Sequence, residues 1–161
     1  MKILSGSEEA EALRFIDKAV EVAKMATCER AKCGSIIVKT NTIIGKGFNS
    51  PPGNLESQRK CSCSKDSYDK KVTDKTCCVH AEQRAIIDSL KRHNSGLKGS
   101  RMYFIRMENN KPVNAKEPYC THCSKLALDV GISEFVLLKD EGVCVYDTEE
   151  YNLLSFNFGK Y

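Results

Sequence analysis

Between Ser7 and Ala26 the apolar residues Leu13, Ile16, Val20 and Ala23 recur in steps of three and four, which draws one stripe along a helix. Ser5 and Ser7 suit its cap, and Glu8, Glu9 and Glu11 suit its positive end. The pattern then changes period. Ser35 to Val38 and Thr42 to Phe48 are β-branched runs around a tight polar turn at Lys39 to Asn41, which predicts a hairpin ending at Asn49. From about residue 50 to 78 no period survives, and Pro, Ser, Lys, Asp and Cys dominate, so this stretch reads as one long loop. Loops of that length inside a domain are usually functional, tied by metal or disordered.

Val79 to about Arg92 predicts a second helix with Val79, Ile86 and Leu90 on its buried face, broken between Asn94 and Gly99. Met102 to Arg106 reads as a strand. Cys120 to Val130 reads as a third helix, with Gly131 at the left-handed cap. Glu134 to Leu138 is a further strand, and Lys139 to Gly142 looks like a hairpin turn into Val143 to Tyr146, which favours an antiparallel final strand but leaves a parallel one open. Asp147 with Glu150 three residues on predicts a capping box for a last short helix. Helices alternating with strands in this order describe an α/β fold with crossover helices on one sheet, and the 161 residues show no repeat or second domain.

Composition narrows the class. Hydrophobic residues make up 41% and charged residues 29%, an ordinary globular balance, and no apolar run approaches the length of a membrane span. The first residues lack the apolar core of a signal peptide, so the expected location is the cytoplasm. A formal charge of +4, from 25 basic and 21 acidic side chains, falls short of a dedicated nucleic-acid binder. Cysteine is the outlier. Nine cysteines, an odd number, fit metal or thiolate chemistry better than a disulfide framework.

That chemistry has two addresses. His80-Ala81-Glu82 opens the second helix, and Pro118-Tyr119-Cys120-Thr121-His122-Cys123 opens the third. The C-x-x-C spacing points two thiolates at one Zn²⁺, and a His from another helix start makes three protein ligands with the fourth tetrahedral position open, which is the pattern of catalytic zinc. Glu82 is placed to hang over that open position as general acid and base. Taken singly, these are a core histidine, two small buried thiols and a helix-start acid. Together they are a site. His122, between the two cysteines, reads as a residue that supports the ligands from behind or faces solvent rather than as a ligand, and Cys28, Cys33 and Cys144 as small buried residues without assignable partners.

The H-x-E and P-C-x-x-C elements resemble the signature of the zinc-dependent cytidine and deoxycytidylate deaminase superfamily. Gly47-Phe48-Asn49-Ser50-Pro51-Pro52-Gly53 and Cys78-Val79-His80-Ala81-Glu82-Gln83 are similar to segments of the deoxycytidylate group. One departure stands out: Tyr119 lies between Pro118 and Cys120, where the family usually has cysteine directly after proline. The resemblance implies a three-layer α/β/α fold around a five-stranded mixed sheet. It also implies one catalytic zinc on His80, Cys120 and Cys123, Glu82 as the proton carrier, and Asn49, otherwise a simple strand-end residue, against the substrate sugar.

The implied reaction is hydrolytic deamination of a cytosine nucleotide, dCMP or CMP. The alternatives are a base in tRNA or single-stranded nucleic acid, a free nucleoside, base or pterin-like ring, and a zinc-binding assembly module without catalysis. A homo-oligomer is also implied. In the family an antiparallel final strand accompanies free-nucleoside deaminases, and a parallel one the nucleotide and tRNA groups. Lys46, Arg59, Lys60 and Lys65 flank the long loop as cations for a phosphate. Cys61, Cys63, Cys77 and Cys78 in the same loop suit either a second, structural zinc that closes it or free, redox-active thiols.

Overall fold

In the computed structural model, which describes residues 1–92 and 96–159, side chains along the strands alternate between two buried faces. Ile36 and Val38, Tyr103 and Ile105, Val136, and Val143 and Val145 pack on one face against α1 (Gly6–Ala23). Ile37, Met102, Phe135 and Leu137, and Cys144 and Tyr146 pack on the other, where α2 (Ala81–Arg92), α3 (Thr121–Asp129) and α4 (Thr148–Ser155) lie. A sheet buried on both faces between helices is the three-layer α/β/α arrangement.

The strands are β1 (Lys2–Ile3), β2 (Lys32–Lys39), β3 (Thr42–Phe48), β4 (Arg101–Glu108), β5 (Lys111–Val113), β6 (Glu134–Lys139) and β7 (Gly142–Asp147), in the order β1-β7-β6-β4-β2-β3 with β5 paired to β4. Five of them are the expected mixed sheet. Two short edge pairings bring the count to seven, since β1 and β5 span only two and three residues and carry no readable period. β4 and β6 are parallel, so α3 is a true crossover, whereas β6 and β7 are antiparallel through the turn at Asp140 and Glu141. The hairpin reading of the last strand therefore holds. None of the described helices is long and apolar enough to cross a membrane.

Two helix faces differ from expectation. α1 buries Ala12, Ile16, Ala19, Val22 and Ala23 and leaves Leu13 exposed; α2 buries Ala81, Glu82, Ala85, Ile86 and Ser89 and leaves Leu90 exposed. The cause is close approach. A Cβ at Gly34 would run into the backbone of Ala19 and Ala23, and Cβ atoms at Gly45 and Gly47 would run into that of Ala85 and Ala81. Small helix residues seated on strand glycines win over larger apolar side chains one position away, because backbones can meet there. Gly47→Ala is therefore expected to lose about 3 kcal/mol, the upper part of the overpacking range, read as a lower urea midpoint at unchanged slope.

Helix ends follow the sequence more closely. Gly131 (φ +79°) closes α3, with its N–H donating to Leu128 O and that of Ile132 to Ala127 O, a Schellman pair. Asp147 caps α4 by accepting from Glu149 N at 2.8 Å. Glu150 does not complete the box: its carboxylate takes the N-terminal ammonium of Met1 at 2.6 Å instead. The predicted helix break at Asn94 lies outside the described residues. Residues 50–78 form the long loop, with three single 3₁₀ turns at Pro52–Asn54, Glu56–Gln58 and Lys65–Ser67.

Candidate active site

The chain enters α2 through a short clamp. Val79 N donates to Ser50 O at 3.0 Å, a one-rung bridge between the start and the end of the long loop. His80 follows, its backbone N–H donating to Gln83 Oε1 at 3.0 Å, so the side chain three residues on takes one of the helix's free donors. This fixes His80 at the helix mouth and sends Glu82 inward, where only 4% of its surface is exposed.

The third helix starts on the facing side. Cys120 is its N-cap, with Sγ accepting from Cys123 N at 3.4 Å, and the C-x-x-C turn brings Cys123 Sγ to 2.9 Å from Cys120 Sγ. His80 Nδ1 stands 3.2 Å from Cys120 Sγ and 3.3 Å from Cys123 Sγ. One imidazole nitrogen and two thiols thus converge, on a triangle slightly tighter than the edges of about 3.5–3.8 Å that zinc bond lengths imply. Among the described residues no fourth donor joins the three: His122 is exposed and lies outside the cluster.

The electrostatics are those of a coupled site. The hydrogen bond from Cys123, aided by His80, holds the Cys120 thiol down to about 4, while the same bond and burial push Cys123 far up. The bond to Cys120 and the Glu82 charge raise His80 to about 9. Burial, then the Cys120 charge, raises Glu82 to about 7, against the opposing pull of His80.

His80 and Glu82 line a cavity of about 670 Å³, within the range of small-molecule sites. Asn49 and Cys33 form one wall, and Phe104, Tyr119 and Phe158 supply aromatic surface. Tyr119 meets Phe158 edge to face with centroids 5.3 Å apart, so the residue inserted before the cysteine pair becomes part of the rim. Asn49 Oδ1 accepts from Cys33 N and Nδ2 donates to Ala31 O, both at 2.8 Å, which ties the end of β3 to the start of β2.

Four cations line the cavity: Arg30, Lys65, Arg106 and Lys116. Of the cations expected from sequence only Lys65 is among them. Lys46 is exposed on β3, and Arg59 is committed to Glu56 and to the carbonyl of Thr27. Arg30, Arg106 and Lys116 escaped the sequence reading because the α1–β2 connection, β4 and the segment after β5 reach the cavity only through the tertiary fold.

Residues 9–139 match the cytidine and deoxycytidylate deaminase zinc-binding region. The chain belongs to that family. A deoxycytidylate deaminase of Mycobacterium phage D29 is 28% identical over 132 residues, covering 78% of this chain and 92% of the phage protein. One from Schizosaccharomyces pombe is 25% identical over 126 residues, and there the match spans only 35% of the yeast protein. Among solved structures, a cyanophage S-TIM5 dCMP deaminase crystallised with dCMP and dUMP superposes with a TM-score of 0.55 at 23% identity, covering 82% of each chain. A Burkholderia pseudomallei cytidine deaminase superposes at 0.57 and 15% identity over 86% of this chain and 94% of its own. Both share the fold. The deaminase family's zinc is a fitting occupant for His80, Cys120 and Cys123, because an imidazole with two thiolates is a donor set that zinc prefers and that leaves one position open.

Proposed function

We propose that the chain works as a single domain that hydrolyses the 4-amino group of a cytosine nucleotide, dCMP or CMP, to give the uracil nucleotide and ammonia. The observation that carries this is one cavity with the buried Glu82 beside three convergent metal donors and with Lys65 and Lys116 in its lining, where Arg106 is paired with Glu108 and Arg30 is held by the carbonyls of Cys61 and Cys63. Zinc held by His80, Cys120 and Cys123 supplies the Lewis acidity that makes water a nucleophile near neutral pH.

The protein's own groups do the rest. Glu82 takes one proton from water and delivers it to ring N3 as the C4–O bond forms, then takes the remaining proton from the new C4 hydroxyl and passes it to the amine, so that the C4–N bond breaks, C4=O forms and ammonia leaves. Its burial keeps bulk water from competing for that proton. Asn49 uses one acceptor site and one amide hydrogen on backbone, which leaves a second of each for a sugar hydroxyl. Phe104 and Tyr119 offer faces for the base, and Lys65 and Lys116 reach the cavity with no acidic partner among the described residues, so both are available to a phosphate.

A second reading has its own observation. The antiparallel β7 is the arrangement that family resemblance associates with free nucleosides, and it favours cytidine or deoxycytidine as substrate. Ammonia release from dCMP, CMP, deoxycytidine, cytidine, adenosine, guanine and total tRNA distinguishes the readings. The nucleotides are expected to exceed the nucleosides, with activity falling as salt screens the phosphate. Activity confined to unphosphorylated rings would replace the first reading with the second, and uracil or inosine formed only in RNA would replace both. Self-association belongs to the same proposal, and sedimentation of the zinc-loaded protein measures it.

A further inference from the structure

The long loop lacks what normally holds a loop down. Between Pro51 and Cys78 a single side chain, Cys61, is buried, and the segment has no strand and no helix longer than one turn. Its apolar residues do not dock: Leu55 and Val72 are exposed. Hydrophobic burial therefore cannot account for its single path across the cavity.

What converges instead is sulfur. The Sγ atoms of Cys28, Cys61 and Cys78 all lie within 4.8 Å of one another, and Cys77 stands at the edge of this trio, its Sγ 3.1 Å from that of Cys61. Three separate stretches of chain meet here: the connection after α1, the middle of the loop, and the two residues that lead into His80. Cys63, expected in this cluster from sequence, stands outside the convergent group. Cys28, read as an isolated thiol, takes its place, because the α1–β2 connection folds under the loop.

The surroundings suit anionic sulfur. Lys60 N donates to Cys77 Sγ at 3.0 Å and Arg59 Nη1 to Cys61 Sγ at 3.5 Å. Arg30 donates to the carbonyls of Cys61 and Cys63 at 3.0 and 2.7 Å, which braces the backbone that presents Cys61. Backbone and guanidinium donors to sulfur are what orient thiolate ligands and offset their charge.

We propose that Cys28, Cys61, Cys77 and Cys78 form a second metal centre, a closed four-thiolate site for zinc that holds the long loop against the body of the protein. Four protein ligands leave no open position, so the site is structural where the His80 centre is catalytic. It does not depend on the deaminase reading. Because Cys78 is two residues before His80, filling it also anchors the entry to α2.

Elemental analysis of protein purified under thiol-reducing conditions is expected to give two zinc per chain. Cys63→Ser should keep both. Cys61→Ser should lose one and become cleavable by protease between residues 52 and 77. Should that variant fail to fold, the Cys120→Ser/Cys123→Ser protein tests the same point with the thiol cluster intact. It should retain one equivalent, and cobalt in its place should show the intense thiolate-to-metal absorption of a four-sulfur site. One zinc in the wild type, none in the double variant, or two in Cys61→Ser would overturn the proposal. So would a mass lower by two hydrogens that reduction restores, which would mark a Cys61–Cys77 disulfide instead.

Discussion

Glu82→Gln is expected to lower turnover by at least about 10²-fold while zinc stays bound at His80, Cys120 and Cys123. Glutamine keeps the length and shape of the side chain but cannot accept a proton from water or pass one to N3. The same change should not weaken the fold. Glu82 is buried with only 4% exposed, and its charged form is disfavoured there, so a neutral amide removes a desolvation penalty. A thermal midpoint equal to or above that of the wild type, with turnover lost, separates a catalytic carboxyl from a structural one. Turnover within a few-fold of wild type in single-turnover deamination would assign the proton transfer to another residue.

The parts of this site that were legible in the sequence are those set by local geometry. Cys120 and Cys123 face one point because a C-x-x-C turn at a helix start leaves them little choice, and the observed 2.9 Å separation is that turn. His80 and Glu82 were legible only beside the cysteine pair and through the family's H-x-E signature, since each alone reads as an ordinary core or helix-start residue. For the final strand the sequence favoured a hairpin through Lys139 to Gly142 without excluding a parallel strand, and the four-residue turn between antiparallel β6 and β7 settles it.

What was not legible depends on which distant segments meet. Cys28 is far in sequence from Cys61, and no spacing rule links them; the sheet and the α1–β2 connection do. Leu13 and Leu90 were assigned to the core on the helical spacing of apolar residues, but α1 and α2 are seated by Gly34, Gly45 and Gly47, and a strand glycine's role as a helix seat shows only when the helix is on it. Asn49 stands between these cases. Its position at the end of β3 was predictable, whereas its two backbone hydrogen bonds across to β2 and the preceding connection were not.

Cys120→Ser is expected to abolish activity and to empty the catalytic metal centre while leaving the fold intact. Serine is a better helix N-cap than cysteine, so the contact now made by Cys120 Sγ to Cys123 N would be kept or improved, and α3 should start where it does. The hydroxyl is a poor replacement for a thiolate at neutral pH, because it does not ionise there and binds zinc weakly. A Lewis acid is worth several kcal/mol of transition-state stabilisation, and at 1.36 kcal/mol per decade its loss should cost about 10³-fold or more, exceeding the effect of Glu82→Gln. Cys123→Ser should lose the same metal but also some stability, because Cys123 is fully buried and the change removes apolar sulfur packing that the Cys120 position, not buried as completely, does not supply to the same degree. Zinc content, circular dichroism and turnover measured on both variants check the contrast. Removing zinc from the wild-type protein with a chelator and restoring it should reproduce the Cys120→Ser loss reversibly. A Cys120→Ser protein that kept full zinc and full turnover would remove Cys120 from the metal centre.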